Sequence, residues 1–169
     1  VKPVWIIDDG PLDTLAGVVD HRAVASWPAG EFVVADATSN AATGDRKKLL
    51  EAAGHSLAPF SVMMGSQAER TLFGHLRRPN EADKNLAEHQ SIAWALHEEP
   101  RAVFVGRDKG AAFLALAELG RCRAAHPSDL WLHLRDEGLV SEEEFVALCA
   151  KPRKGDQLPV PLRCQTRSP

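Results

Sequence analysis

The chain has 169 residues, 44% of them hydrophobic, and a formal net charge of −3 at pH 7. That is length and apolar content enough for one domain with a real core, which excludes a wholly disordered chain; the weakly acidic balance excludes a strongly basic nucleic-acid coat protein but not an enzyme with a local basic patch or bound metal. No apolar run approaches the ~20 residues of a membrane span, no charged-then-apolar leader opens the chain, and Cys122, Cys149 and Cys164 have neither paired nor zinc-like spacing, so reduced thiols in a cytoplasmic protein are expected.

In chain order, Val4–Ile7 is a short apolar run that reads as a buried strand. Gly10-Pro11 breaks it, and Pro11 suits the first turn of a helix carrying Leu12, Leu15, Ala16 and Val19 at helical spacing. Glu31–Ala35 is a second strand, and Asp36 to Gly44, with its Ser, Thr, Asn and Gly, is expected to be a loop. Arg46–Ala53 predicts a helix closed by Gly54; Ser56–Met64 fits neither period; Gln67–Leu76 predicts a helix, followed by a polar connection to Asp83. Asn85–Glu98 is a strong helical pattern stopped by Pro100, Ala102–Val105 is a third strand, and Lys109–Leu119 is a helix with Gly120 as its cap. Ser128–Glu137 predicts a further helix, and Ser141-Glu-Glu-Glu144 has capping-box spacing and opens a last one to Ala150. Strands alternating with helices predict an α/β domain over residues 1–150 with a mainly parallel sheet. Residues 151–169 are Pro-rich and basic and are expected to form an extended tail.

Three acids stand out by placement. Asp8 follows the first strand, Asp108 follows the third, and Glu88 lies at the start of the strongest helix. In open α/β sheets, ligands bind at the carboxyl ends of the strands. Each acid alone is well explained as a helix cap: Asp8 or Asp9 before Pro11, Asp108 before Lys109, and Asn85 with Glu88 as a capping box. Together they predict a crevice of carboxylates, which repel unless protons or cations neutralise them. Hard oxygen donors of this kind suit Mg²⁺ or Mn²⁺. Glu88 also shares a helix face with Ile92 and Ala95, so it points the way buried residues point.

At these residues the chain resembles the PIN-domain nucleases. Asp8-Asp9-Gly10-Pro11-Leu12 is similar to that family's opening Asp-x-Ser/Gly-Pro-Leu, Glu88-His-Gln-Ser-Ile-Ala-Trp-Ala95 to its central acidic helix start, and Asp108-Lys-Gly-Ala-Ala, closing at Gly120, to its Asp-Asp-x-Ala-Ala segment. Glu137-Gly138-Leu139 is similar to the family's last Gly-Leu-Ile. The likeness covers roughly 4–19 and 85–140. It implies a PIN-like fold and a metal-dependent ribonuclease, often the toxin of a toxin–antitoxin pair. It makes Asp8, Glu88 and Asp108 catalytic Mg²⁺ or Mn²⁺ ligands, with Asp129 as a fourth acid. Arg107 and Lys109 stand beside Asp108 where the family has other residues; they are read either as partners that pair with Asp108 and weaken metal binding or, equally, as contacts to substrate phosphate. The expected partners are an RNA substrate, an antitoxin protein and a second copy of the chain, with no membrane.

Two alternatives compete. One is a PIN-like fold without activity, serving as an interaction module. The other is a receiver-like signalling domain, whose paired acids after the first strand resemble Asp8-Asp9; the phospho-accepting Asp such a domain needs has no counterpart between Asp45 and Asp83. The histidines form no HExxH motif and no phosphate loop is present. The basic runs Gly44-Asp-Arg-Lys-Lys48 and Arg77-Arg78 are commonly solvated surface, but such runs also guide an RNA backbone.

Overall fold

The computed structural model describes residues 2–78 and 83–150; the expected tail lies outside them. Three four-residue strands, β1 (Val4–Ile7), β2 (Phe32–Ala35) and β4 (Ala102–Val105), are buried along their whole length. Shorter strands, β3 (Ala58–Phe60) and β5 (Ala124–Ala125), flank them. All pairings are parallel, in the order β3-β2-β1-β4-β5. The expected α/β class with a parallel sheet is thus what the protein has, in an architecture consistent with a PIN-like fold. The order also sets aside the receiver-like alternative, since doubly wound signalling domains of that type run 2-1-3-4-5.

Strand residues alternate between two apolar layers, because successive side chains point to opposite faces. Trp5, Ile7, Phe32, Val34, Val103 and Val105 face one core, which holds Leu12 and Leu15 of α1 (Asp9–Ala16), Leu49 of α4 (Gly44–Ala53) and Leu130 and Trp131 of α8 (Pro127–Asp136). Val4, Ile6, Val33, Ala35, Ala102 and Phe104 face the other, which holds Ile92 and Ala95 of α6 (Leu86–His97) and Ala111 and Ala115 of α7 (Lys109–Leu119). Burial on both faces explains why the strands read as unbroken apolar runs. Two short helices complete the α1–α4 region: α2 (His21–Val24) and α3 (Asp36–Ala41). α5 (Gln67–Thr71) runs into a single π-turn at Leu72–Leu76, and α9 (Glu142–Ala150) closes the described chain. The predicted capping box of α9 forms, with Ser141 N–H donating to Glu144 at 2.8 Å and Glu144 N–H to Ser141 Oγ at 3.1 Å.

Two expectations need correction. Residues Asp36–Ala41 are helical, not a loop. Thr38 is buried there, and the Ala37 N–H donates to the Gln90 side chain of α6 at 3.3 Å, so tertiary contacts override a turn-like composition. The thiols are not all reduced: Cys149 is an exposed thiol, whereas Cys122 is disulfide-bonded. Spacing along the chain carries no signal for a bond of that kind. No helix among the described residues is long and apolar enough to cross a membrane.

Candidate active site

A cleft of about 680 Å³ lies where the chain leaves β1, β2 and β4. Asp8, Glu88 and Asp108 all line it, joined by Asp9, Asp83, Thr38, Asn40, Asn85 and Arg46. The parallel register places the first two strand ends side by side. Ile7 pairs with Val105, and the Asp8 N–H continues that ladder to the Val105 carbonyl at 3.1 Å. The third acid arrives on another element. The Gln90 bond to α3 holds the start of α6 against the end of β2, and the burial of Ile92 and Ala95 sets the helix face on which Glu88 lies.

The three acids differ in how far they act as caps. Asp8 occupies the N-cap position of α1, yet its side chain makes no capping bond. It is half-buried, and desolvation pushes its pKa up to about 6. A backbone hydrogen bond from Asp9 opposes this, the charges of Asp9 and Asp108 add to it, and Arg107 lowers it. Asp108 is exposed and does cap α7, accepting from Gly110 N–H at 3.4 Å, which is long for such a bond. Glu88 sits half-buried in the first turn of α6, but the predicted box with Asn85 is not made, since the Asn85 side chain forms no cap bond.

The remaining predicted residues lie elsewhere. Asp129 is buried at the start of α8, where its carboxylate accepts from His126 N–H at 3.2 Å in a capping box; it is not among the cleft residues. Arg107 folds back onto α1, donating to the Gly10 carbonyl at 3.1 Å and to the Thr14 hydroxyl. It braces the β4–α7 loop rather than lining the cleft, because that carbonyl and hydroxyl offer its guanidinium fixed acceptors within reach. The Lys109 ammonium sits 5.7 Å from the Phe113 ring centroid, also away from the lining. The cation that does line the cleft is Arg46, half-buried on α4 and ion-paired with Asp9 across the cleft mouth. Its one sequence signal is the basic run that contains it. Asn40 and Thr38 were hidden inside the segment expected to be a loop.

The donor set is chemically suited to a hard cation, being carboxylates with one desolvated acid beside like charge. Among the described residues no group of three or more His, Cys, Asp or Glu side chains is gathered tightly enough to enclose a metal ion. Mg²⁺ does not need such a cage. It keeps several waters and binds through one or two carboxylates together with substrate phosphate. Compared with protein-family models, characterised proteins and solved structures, the chain has no match.

Proposed function

We propose that the chain is a PIN-like, metal-dependent endoribonuclease that hydrolyses RNA phosphodiester bonds in this cleft. The toxin role, with an antitoxin partner, comes from the resemblance alone. The observation that carries the enzymatic reading is the meeting of Asp8, Glu88 and Asp108 in one cleft, from two strand ends and a separate helix. Asp8 adds weight, because it stands at a cap position without capping. A cap gains nothing from a neighbouring like charge, whereas a cation site is strengthened by one.

Asp8, Glu88 and Asp108 would hold Mg²⁺ or Mn²⁺. When bound, the metal supplies a Lewis acid for the phosphate and lowers the pKa of a water at neutral pH. The chain's own residues set the rest. Five carboxylates in the cleft repel the phosphate at the scissile position in the absence of cations, so metal loading strengthens binding at that position, whereas contacts outside the cleft do not depend on it. Arg46 is placed to exchange Asp9 for a phosphate oxygen, since guanidinium pairs with either.

Single-stranded RNA incubated with purified protein in Mn²⁺ should be cleaved, EDTA should stop the reaction, and Glu88→Gln should abolish it with the circular dichroism spectrum unchanged. Cleavage that survives both treatments would overturn this mechanism. The competing reading, a PIN-like interaction module without activity, draws on the open arrangement of the acids and on the Asp9–Arg46 pair. It predicts no metal-dependent cleavage and no Mn²⁺ effect on melting.

A further inference from the structure

Beside the acidic cleft lies a second cavity of about 610 Å³, and the two share Asn40. Its chemistry is different. Where the first is lined by five carboxylates and one cation, the second has a single carboxylate, Glu51, against Lys47 of α4 and His55 of the following turn, on a wall that includes Leu50 and Pro59. Leu50 is half-buried and Pro59 exposed, so both are reachable, with buried Leu57 beneath them. Arg46 and Lys47 are sequence neighbours. Consecutive helical residues project about 100° apart, so α4 sends one cation to each cavity. The basic run thereby acquires a role that its sequence alone did not settle.

We propose that the second cavity is a subsite for a nucleotide of single-stranded RNA flanking the bond cleaved in the acidic cleft. Lys47 and His55 hold its phosphate, and Leu50 and Pro59 receive its base. This rests on the nuclease reading of the first cleft. Lys47 is available for the task, because its pairing with Glu51 spans 4.0 Å between side chains that are each about two-thirds exposed, a geometry that contributes little. The wall selects single strands, since a base reaches a pocket only when unstacked from a helix. Asn40 at the junction offers both donors and acceptors to the ribose-phosphate that crosses between the cavities.

The test is binding of a fluorescent single-stranded oligouridine in EDTA, where metal-dependent hydrolysis cannot proceed. Wild type, the double variant Lys47→Ala/His55→Ala and the control Lys48→Ala are compared, with an RNA duplex as competitor. Lys48 carries the same charge on the same helix but lines neither cavity. The expected result is a Kd raised roughly tenfold in the double variant, little change in the control, and weak competition by duplex. Equal binding by all three proteins, no binding by wild type, or duplex competing as well as single strand would each overturn the subsite. The two readings fail separately. EDTA-sensitive cleavage with binding indifferent to Lys47 and His55 removes the subsite alone. Binding lost in the double variant without any cleavage in Mn²⁺ removes the nuclease alone.

Discussion

Asp8 and Asp108 leave neighbouring parallel strands at the same edge of the sheet, and the Asp8 N–H donates to Val105, three residues before Asp108. The backbone ladder therefore brings two carboxylates together before any side chain chooses a rotamer. Each charge raises the cost of the other, and Asp108 is among the groups that lift the Asp8 pKa to about 6.

That elevation predicts a pH-dependent effect of Asp8→Asn. An unfolded Asp titrates near 3.9. Because the folded pKa is higher, the folded state binds the extra proton between about 4 and 6, so ionised Asp8 costs stability above pH 6 and the cost disappears as pH falls through that window. A rise of that size sets a ceiling of about 3 kcal/mol, and partial exposure reduces it. Asp8→Asn should therefore stabilise the metal-free protein at pH 7.5 by about 1–2 kcal/mol, with the advantage gone near pH 4. Thermal melts in EDTA from pH 4 to 8 check this. Curves that stay parallel throughout would show that Asp8 is not desolvated.

Asp108→Asn separates cap from ligand. Asn caps a helix about as well as Asp, so loss of the Gly110 bond is not at issue. If Asp108 binds metal, saturating Mn²⁺ raises the wild-type melting temperature by mass action and raises the mutant's much less. Equal shifts in the two proteins, or none in either, would remove Asp108 from the ligand set.

A structural prediction concerns Arg123. Its guanidinium donates to the Ala102 carbonyl at 2.9 Å, the Glu99 carbonyl at 3.0 Å and the Ala95 carbonyl, tying the C-terminal end of α6 to the start of β4. Desolvation lowers its pKa, with Glu99 opposing. Arg123→Met keeps the stem but strips three carbonyls of their donor, which should cost about 2–3 kcal/mol. Arg123→Lys should fall between, as one ammonium cannot span the same fork. Urea denaturation of the three proteins decides it, and a Met variant as stable as wild type would refute the brace.

What was legible in the chain and what was not follows from physical range. The strands Val4–Ile7 and Ala102–Val105, helices α6 and α7, and the Ser141 capping box are signalled by residues adjacent or one turn apart, and they stand as expected. That Asp8 and Asp108 line one cleft was legible because both mark strand ends, and parallel strand ends share an edge; that Glu88 lines it too depends on how α6 packs, which the sequence left conditional. β5 was not, since Ala124–Ala125 is too short and too bland to show a period; it pairs because β4 presents an open ladder. Nor was the identity of the cation that lines the cleft. Arg107 is the neighbour of Asp108 in sequence, yet it bonds to Gly10 and Thr14, more than 90 positions away. Arg46, nowhere near the motif, pairs with Asp9 in the cleft.

The last prediction tests how tightly the core holds the loop that presents Asp108. Gly106 is buried between β4 and that loop. A Cβ there would stand 2.5 Å from Cε1 and 3.1 Å from Cζ of Phe104, whose side chain is fully buried. The ring packs in the layer with Ile6, Ile92 and Ala111, so it has no open side to swing toward. Gly106→Ala should therefore destabilise by about 1–3 kcal/mol through overpacking. Where the loop yields instead of the ring, Asp108 shifts, and the Mn²⁺ response of the melt should shrink along with stability. Phe104→Leu removes the two clashing ring atoms. In that background Gly106→Ala should cost clearly less than in wild type, a coupling expected of residues in contact. A double-mutant cycle by urea denaturation measures it. Additive effects of the two substitutions would mean that the backbone absorbs the methyl elsewhere, and that the aromatic ring is not what holds the Asp108 loop in place.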